Sequence, residues 1–431
     1  MKKINIGMLG IGNIGVGTYR TLEMSRAKIE QSTGMSLDIV KILNRHPEKD
    51  RGIDIPKEKY VSDIKDIVED PDIDIVVELI GGIEPATTYM AEALKHGKHV
   101  VTANKAAIAA NGKYLQELAY NSQLMLRFEA SVAGGIPILN AISSALISNE
   151  FSQVQGILNG TTNYILTKMT ENGTPYEDVL IDAQKKGFAE ADPTADVEGI
   201  DAANKLSILI SLLFGIGIKP ENIPTKGITS VTSEDISFAK EFGYKIKLLA
   251  SAHNSNGKVT CNVEPSLVPE NHPLANVNNE FNAVYITGNA VDNLMFYGRG
   301  AGPLPTGSAV IGDVVSVARK IEKDAAYDLL PHLRYDADLE FAGEGSHQYY
   351  IRVHAEDHPG VLGQITSTLG VYGIGIKTMM QRAGDNSGGT VPMIFIVYDI
   401  DQSILNTALN VLLTNGSVQS VDNVLRVLKN N

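Results

Sequence analysis

The stretch Lys3-Ile4-Asn5-Ile6-Gly7-Met8-Leu9-Gly10-Ile11-Gly12-Asn13-Ile14-Gly15 decides how this chain begins to fold. Lys3–Leu9 reads as a short apolar strand, and a helical pattern follows the last glycine to about Gln31. Between them the spacing is G-x-G-x-x-G. Gly10 allows a tight turn, Gly12 lets backbone approach a pyrophosphate, and Gly15 lets the helix pack on the strand. A pyrophosphate then sits at the positive helix end, where Asn13 and Ile14 join the three glycines as candidate cofactor-binding residues. Such spacing alone also occurs as a plain glycine turn. Its place after the first strand of a βαβ series favours a dinucleotide.

Working outward, Leu37–Leu43, Asp74–Leu79, His99–Thr102 and Gln123–Glu129 read as further strands, and Pro85 suits the first turn of a helix reaching His96. Strands alternating with helices predict α/β architecture: a doubly wound, Rossmann-type nucleotide-binding domain over 1–130, completed by 300–325. A ribose-binding carboxylate is expected where the second strand ends. That place reads Leu43-Asn44-Arg45-His46, without a carboxylate. Arg45 can hold a 2′-phosphate, which favours NADP over NAD; the alternative is a solvated loop charge.

From Ile136 the texture changes. Phe151–Leu158 and Lys258–Val268 look like strands of a mixed sheet, while Pro175–Gly187, Asp201–Phe214 and Ser233–Lys245 read as helices. We expect an α+β catalytic and dimerisation domain over 131–300. Gly298–Thr306 is a glycine- and proline-rich loop, with a helix over Gly307–Lys323. A polar linker, 326–347, precedes a last module at 348–431. There Tyr349–His354, Gly375–Arg382, Met393–Tyr398 and Gln419–Leu428 read as strands, and Pro359–Gly370 and Ser403–Asn415 as helices. That is a βαββαβ, ferredoxin-like order.

The 431 residues are 43% hydrophobic, enough to build real cores, and 37 basic against 50 acidic residues give a net charge of −13. No sequence-wide attraction for nucleic acid follows from such a balance. The lone cysteine, Cys261, excludes an intrachain disulfide and a multi-cysteine zinc site. Leu206–Ile218, the longest apolar stretch, is shorter than the ~18–20 residues of a membrane span. Met1-Lys2-Lys3 leads straight into a strand rather than a secretory signal, so we expect a cytoplasmic location without membrane partners.

Lys105 follows the fourth strand at its carboxyl end, the rim where parallel sheets bind ligands. The densest chemistry lies further on, where Glu190, Asp192, Asp196, Glu198 and Asp201 precede Lys205. Asp201 and Lys205 are four apart and share a helix face. A solvated acidic loop with an ordinary ion pair is the plain alternative. Against it, Leu206–Phe214 continues almost wholly apolar, so the helix is expected to be buried. A buried lysine needs a partner and has tunable proton affinity. It suits hydride transfer to a carbonyl, donating a proton to the new oxyanion and removing it in reverse. Nearby carboxylates would bind a substrate ammonium, which points to a small amino acid bearing an aldehyde or alcohol.

The pattern Ala183-x-x-x-Gly187-Phe188-Ala189-Glu190-x-x-Pro193-x-x-Asp196-Val197-x-Gly199-x-Asp201-x-x-x-Lys205 closely resembles that of the homoserine dehydrogenase family. Gly10–Gly15, Asn104-Lys105-Ala106 and Asn159-Gly160-Thr161-Thr162-Asn163 fit the same family in order and spacing. The tail resembles an ACT domain, with Asp357-His358-Pro359-Gly360-Val361-Leu362 at its first strand-to-helix turn. We expect no aspartokinase segment ahead of the match, so the chain resembles the monofunctional, ACT-tailed type. The resemblance implies reversible reduction of L-aspartate 4-semialdehyde to L-homoserine by NAD(P)H, on the route to threonine and methionine. It implies Lys205 as proton donor, Lys105 touching cofactor and substrate, and Asp196 beside the reacting oxygen. Glu190, Asp201 and Thr162 would bind substrate, and Gly187 and Gly302 would lie near the nicotinamide. A sodium-type cation is implied at Glu129, Val132, Gly134 and Ile136, the last three through carbonyl oxygens, unless the turn is simply a glycine turn. The tail would sense an amino acid such as threonine, or serve only to join subunits of a homodimer or homotetramer.

Overall fold

The computed structural model describes residues 1–323, 335, 339–343, 345–382 and 389–429. It comprises two compact units: Met1–Val154 with Ala203–Asn222 and Phe281–Leu339, and Gln155–Ala202 with Ile223–Glu280 and Glu340–Asn431. Most of the expected linker lies outside the described residues.

In the first unit β1 (Lys2–Leu9), β2 (Met35–Leu43), β3 (Tyr60–Val61), β4 (Ile75–Glu78), β5 (His99–Thr102) and β6 (Leu126–Arg127) form one sheet. Every pairing is parallel, in the order β3-β2-β1-β4-β5-β6. This is the doubly wound order, and its reversal between β1 and β4 opens the crevice where dinucleotides bind. Ile4, Ile6 and Met8 of β1 pack with Leu37, Ile39, Ile75 and Val77 against Leu22 of the helix Asn13–Thr33. Val310, Val314 and Val317 of the helix Pro303–Lys323 complete that core. The two helices cross closely because Gly17 offers no Cβ where it meets Pro303.

The expected strand Gln123–Glu129 shrinks to β6, because the chain winds into a 3-10 turn at Glu129–Ser131 pinned by Glu129 N donating to Asp313 Oδ2 at 2.8 Å. The expected loop Gly298–Thr306 is shorter: strand runs to Arg299 and helix resumes at Pro303. After β7 (Phe151–Ile157), β8 (Tyr244–Ser255) and β9 (Lys258–Pro269), the strands β10 (Phe281–Gly288) and β11 (Asp292–Arg299) make an antiparallel hairpin in the first unit.

In the second unit β8 and β9 are an antiparallel hairpin turning at Asn256 (φ 52°) and Gly257 (φ 83°). Both residues take the left-handed conformation that an Asn-Gly hairpin turn requires. The expected helix Ser233–Lys245 therefore stops at Glu241, and Tyr244 and Lys245 open β8. The tail builds β12 (Glu340–Phe341), β13 (Ser346–Glu356), β14 (Ile376–Gln381), β15 (Thr390–Asp401) and β16 (Ser420–Val427). β13 pairs antiparallel with both β16 and β15, and β15 with β14. Helices Val361–Val371 and Gln402–Thr414 cover a separate core that includes Tyr349, Ile351, Ile365, Phe395 and Leu405. β16 pairs in parallel with β9, so the module continues the sheet of its unit.

That seam is buried and charged. Arg352 Nε donates to Asp235 Oδ1 at 2.7 Å, and Tyr350 and Asn423 donate to the same carboxylate at 3.1 and 3.0 Å. Asp235 is fully buried, and although burial pulls its carboxyl up, Arg352 and Asn423 hold it below the usual range. Among the described residues no helix is long and apolar enough to cross a membrane.

Candidate active site

The glycine loop lies at the reversal point of the first unit. Gly10 has φ 95°, and a Cβ there would come within 3.0 Å of Leu79 O, beyond the end of β4. A Cβ on Gly15 would lie 2.6 Å from Gly10 O. A Cβ on Gly12 would meet nothing within 4 Å, so the side of the helix head that it faces is open. Gly12 caps that helix without a side chain, leaving Asn13 and Ile14 at a terminus suited to an anion. Arg45 is exposed in the loop after β2. The arginine tied to the glycine loop is Arg51, whose Nε donates to Ile11 O at 2.8 Å and Nη2 to Asn44 Oδ1 at 3.1 Å. Sequence reasoning passed over Arg51, because only the tertiary fold brings it back across the loop.

Lys105 opens the helix Lys105–Asn121, and a buried network fixes that start. Glu78, fully buried at the end of β4, accepts from Ile80 N at 2.7 Å and from Thr102 Oγ1 at 2.6 Å. Thr102 Oγ1 in turn accepts from Asn104 N at 2.9 Å. Asn104 caps the helix through Ala107 N at 3.1 Å, and its Nδ2 donates to Gly82 O at 2.7 Å. The loops after β4 and β5 are thus locked together beside Lys105. Glu78 was not singled out from sequence; a carboxylate ending an apolar strand was the available signal.

In the second unit β7 leads into Asn159, which caps the helix Gly160–Asn172 by accepting from Thr162 N at 2.9 Å. Its Nδ2 donates to Asp196 Oδ1 at 2.6 Å and to Asp201 Oδ2 at 3.0 Å. Thr161 Oγ1 lies 3.1 Å from Asp196 Oδ2 and 2.6 Å from Phe188 O. One carboxamide therefore gathers two of the predicted carboxylates at the head of a helix, beside Thr162. Asn159 and Thr161 were recognised only as part of a matching stretch; an asparagine before a helical pattern signals a cap. Glu190 is exposed on the loop after Gly187, which has φ 75°. The Glu190 side chain is not part of that hydrogen-bonded group.

Asp201 and Lys205 lie one turn apart on the helix Ile200–Phe214, 6% and 7% exposed. The expected burial of this lysine is therefore present. Gly302 has φ 115° and begins the first turn of the helix Pro303–Lys323, Thr306 N donating to its carbonyl at 3.1 Å.

In the turn Glu129–Ile136, Ala133 and Gly134 have φ 55° and 46°, and Gly134 packs directly on Gly300. The Glu129 carboxylate accepts from Leu139 N at 2.9 Å and Asn140 N at 2.7 Å. Burial, reinforced by the Asp313 charge, pushes Glu129 up to about 8, and burial pushes Asp313 up to about 6. Among the described residues no cluster of three or more His, Cys, Asp and Glu side chains is arranged for a metal.

Known proteins match this architecture along its whole length. Residues 10–129 match the model for the homoserine dehydrogenase NAD-binding domain, and residues 137–315 that for homoserine dehydrogenase. The chain is 39% identical over 427 residues to a homoserine dehydrogenase of Bacillus subtilis, covering 99% of each. A homoserine dehydrogenase structure from Thiobacillus denitrificans superposes with a TM-score of 0.91 at 38% identity, covering 100% of this chain and 99% of that one. A hyperthermophilic archaeal homoserine dehydrogenase in complex with NADPH matches 77% of this chain and 100% of its own, with a TM-score of 0.62 at 26% identity. With a nucleotide crevice in one unit and a gathered pair of carboxylates in the other, the chain belongs to the homoserine dehydrogenase family of NAD(P)-dependent oxidoreductases.

Proposed function

We propose that this enzyme interconverts L-aspartate 4-semialdehyde and L-homoserine in threonine and methionine biosynthesis, with Lys205 as acid/base and NADPH as the preferred reductant. The observation that carries the reading is the Asn159 carboxamide drawing Asp196 and Asp201 together, one helical turn before the buried Lys205. When bound, a reduced nicotinamide would supply the hydride that the aldehyde carbon needs. Lys205, as an ammonium, gives its proton to the carbonyl oxygen; in the reverse direction its free amine removes the proton from the hydroxyl. Asp201, Glu190 and Thr162 hold the amino-acid end, and Asp196 stands beside the reacting oxygen. Lys105, at the rim fixed by Glu78, Thr102 and Asn104, contacts both ligands.

Gly10, Gly12, Asn13, Ile14 and Gly15 would take the pyrophosphate, and the open space at Gly12 fits it. A second strand ending without a carboxylate, with Arg45 and Arg51 nearby, supports a 2′-phosphate and hence NADP. Gly187 and Gly302 would lie near the nicotinamide. A sodium ion would be held at Glu129, Val132, Gly134 and Ile136, the last three through carbonyl oxygens. The βαββαβ module is read as an ACT domain for an amino acid such as threonine, in a cytoplasmic homodimer or homotetramer.

The test follows absorbance of reduced nicotinamide with aspartate semialdehyde, NADPH and NADH in parallel, with threonine added and with sodium replaced by choline. Lys205→Ala should cut turnover by roughly 10²–10⁴-fold while leaving nucleotide affinity unchanged. Wild-type turnover in that variant removes Lys205 from the mechanism.

A further inference from the structure

The turn between Asp196 and Asp201 rests on the segment Thr225–Thr229. Thr225 bridges to Val263 of β9, and Lys226 N donates to Val263 O at 2.8 Å. Gly227 is pressed onto Val197, and a Cβ there would also lie 2.6 Å from Glu198 Oε2. Ile228 N donates to Val197 O at 2.9 Å, and Thr229 Oγ1 to Glu198 Oε1 at 3.3 Å. Val197 ends the short helix that bears Asp196, and Gly199, at φ 81°, turns the chain into the helix that bears Asp201. A Cβ on Gly199 would stand 3.0 Å from the Thr225 side chain.

The Lys226 side chain reaches the other way. Its Nζ donates to Asn423 Oδ1 at 3.2 Å and to Val424 O at 2.8 Å, both on β16 of the C-terminal module. Asn423 Nδ2 donates to Ser230 O at 3.0 Å, so the module grips this segment at Lys226 and again just beyond Thr229. The route from β16 to the carboxylate turn is continuous: Asn423 and Val424, Lys226, Gly227 and Ile228, then Val197.

We propose that Lys226 is a positioning residue for the amino-acid substrate: it ties the segment 225–229 to β16 and so holds the Asp196–Asp201 turn where the Asn159 carboxamide meets it. Through this lysine the C-terminal module sets substrate affinity without touching substrate. The inference rests on the reading of Asp196 and Asp201 as substrate-site groups.

The full-length enzyme carries Lys226→Met, which keeps the stem and removes the donors, or Lys226→Arg, which restores them. Asp196→Asn and Asp201→Asn are run beside them, and KM for homoserine and for NADP⁺, kcat and melting temperature are measured. Lys226→Met should raise the homoserine KM roughly 5–30-fold, as expected for losing buried hydrogen bonds, with NADP⁺ KM within about twofold. Lys226→Arg should recover most of that loss. A lowered melting temperature with a wild-type homoserine KM makes Lys226 merely structural and overturns the proposal, as does an equal rise in both KM values. If the two carboxylate variants raise the homoserine KM and Lys226→Met does not, the lysine's role fails alone. If the carboxylate variants leave that KM unchanged, the site reading fails and takes the proposal with it. Should Lys226→Met not fold, Lys226→Gln, whose amide falls short of Val424 O, is judged by the same outcomes.

Discussion

Replacing Asn159 separates its two jobs. Its Oδ1 caps the helix Gly160–Asn172, and its Nδ2 serves Asp196 and Asp201. Asn159→Ala removes a cap, costing about 1 kcal/mol. It also strips a donor from two carboxylates, and hydrogen bonds to charged groups contribute about 1.5–3 kcal/mol each. Asp201 is buried and Asp196 only partly so, which puts the second bond at the low end. The sum is about 4–5.5 kcal/mol, a large share of the roughly 5–15 kcal/mol that holds a typical native state. Asn159→Asp keeps the cap but sets a third carboxylate against the other two. At an effective dielectric near 20, each such pair at contact distance repels by about 4 kcal/mol. Urea unfolding at neutral pH should therefore rank wild type above Asn159→Ala, and Asn159→Asp lowest despite its intact cap. Homoserine KM should rise in the same order. An Asn159→Asp enzyme as stable as Asn159→Ala would show that two ionised carboxylates do not face that amide, and the geometry argued for the site would be wrong.

Gly12→Ala should fold normally, since a Cβ there meets nothing within 4 Å, yet weaken NADPH binding roughly tenfold or more by fluorescence titration; Gly15→Ala should also lower the melting temperature, its Cβ falling 2.6 Å from Gly10 O. Arg352→Met leaves the fully buried Asp235 without its guanidinium and should cost about 3–5 kcal/mol in urea unfolding; a loss under about 1 kcal/mol would refute the buried pairing. Lys247, 2% exposed and donating to Val277 O at 2.6 Å, is pushed by burial down to about 7. The unfolded chain then binds the extra proton above that pH, so stability should climb by up to about 1.4 kcal/mol per pH unit between about 8 and 10. The opposite contribution of Glu129, whose carboxyl is raised to about 8, runs on to about pH 9, so the climb is read as the difference between wild type and Lys247→Met. Lys247→Met should flatten the climb, and an unchanged slope would discard the assignment.

The first strand, glycine loop and helix were legible because each requirement there is local: apolar alternation, glycine at fixed spacing, and a helix start. The long match ending at Lys205 was legible for the same reason, since its residues sit within some twenty positions. The Asn256-Gly257 hairpin was also local, and the apolar run of β8 was lost by extending the preceding helix past Gly243 (φ 77°).

By itself the sequence determined the α/β beginning, the βαββαβ ending, and which residue types could carry the chemistry. Tertiary structure alone decided the strand order that opens the crevice, the choice of Arg51 to brace the glycine loop, and the use of Glu78 to lock the rim. It also decided that one carboxamide gathers Asp196 and Asp201, that β16 pairs with β9, and that Arg352 of β13 meets the buried Asp235. Those facts join residues as far apart in the sequence as Ser266 and Arg426. Propensity and periodicity act over a few neighbours, whereas partners at such range are chosen by packing and by the need of buried polar groups to find one another.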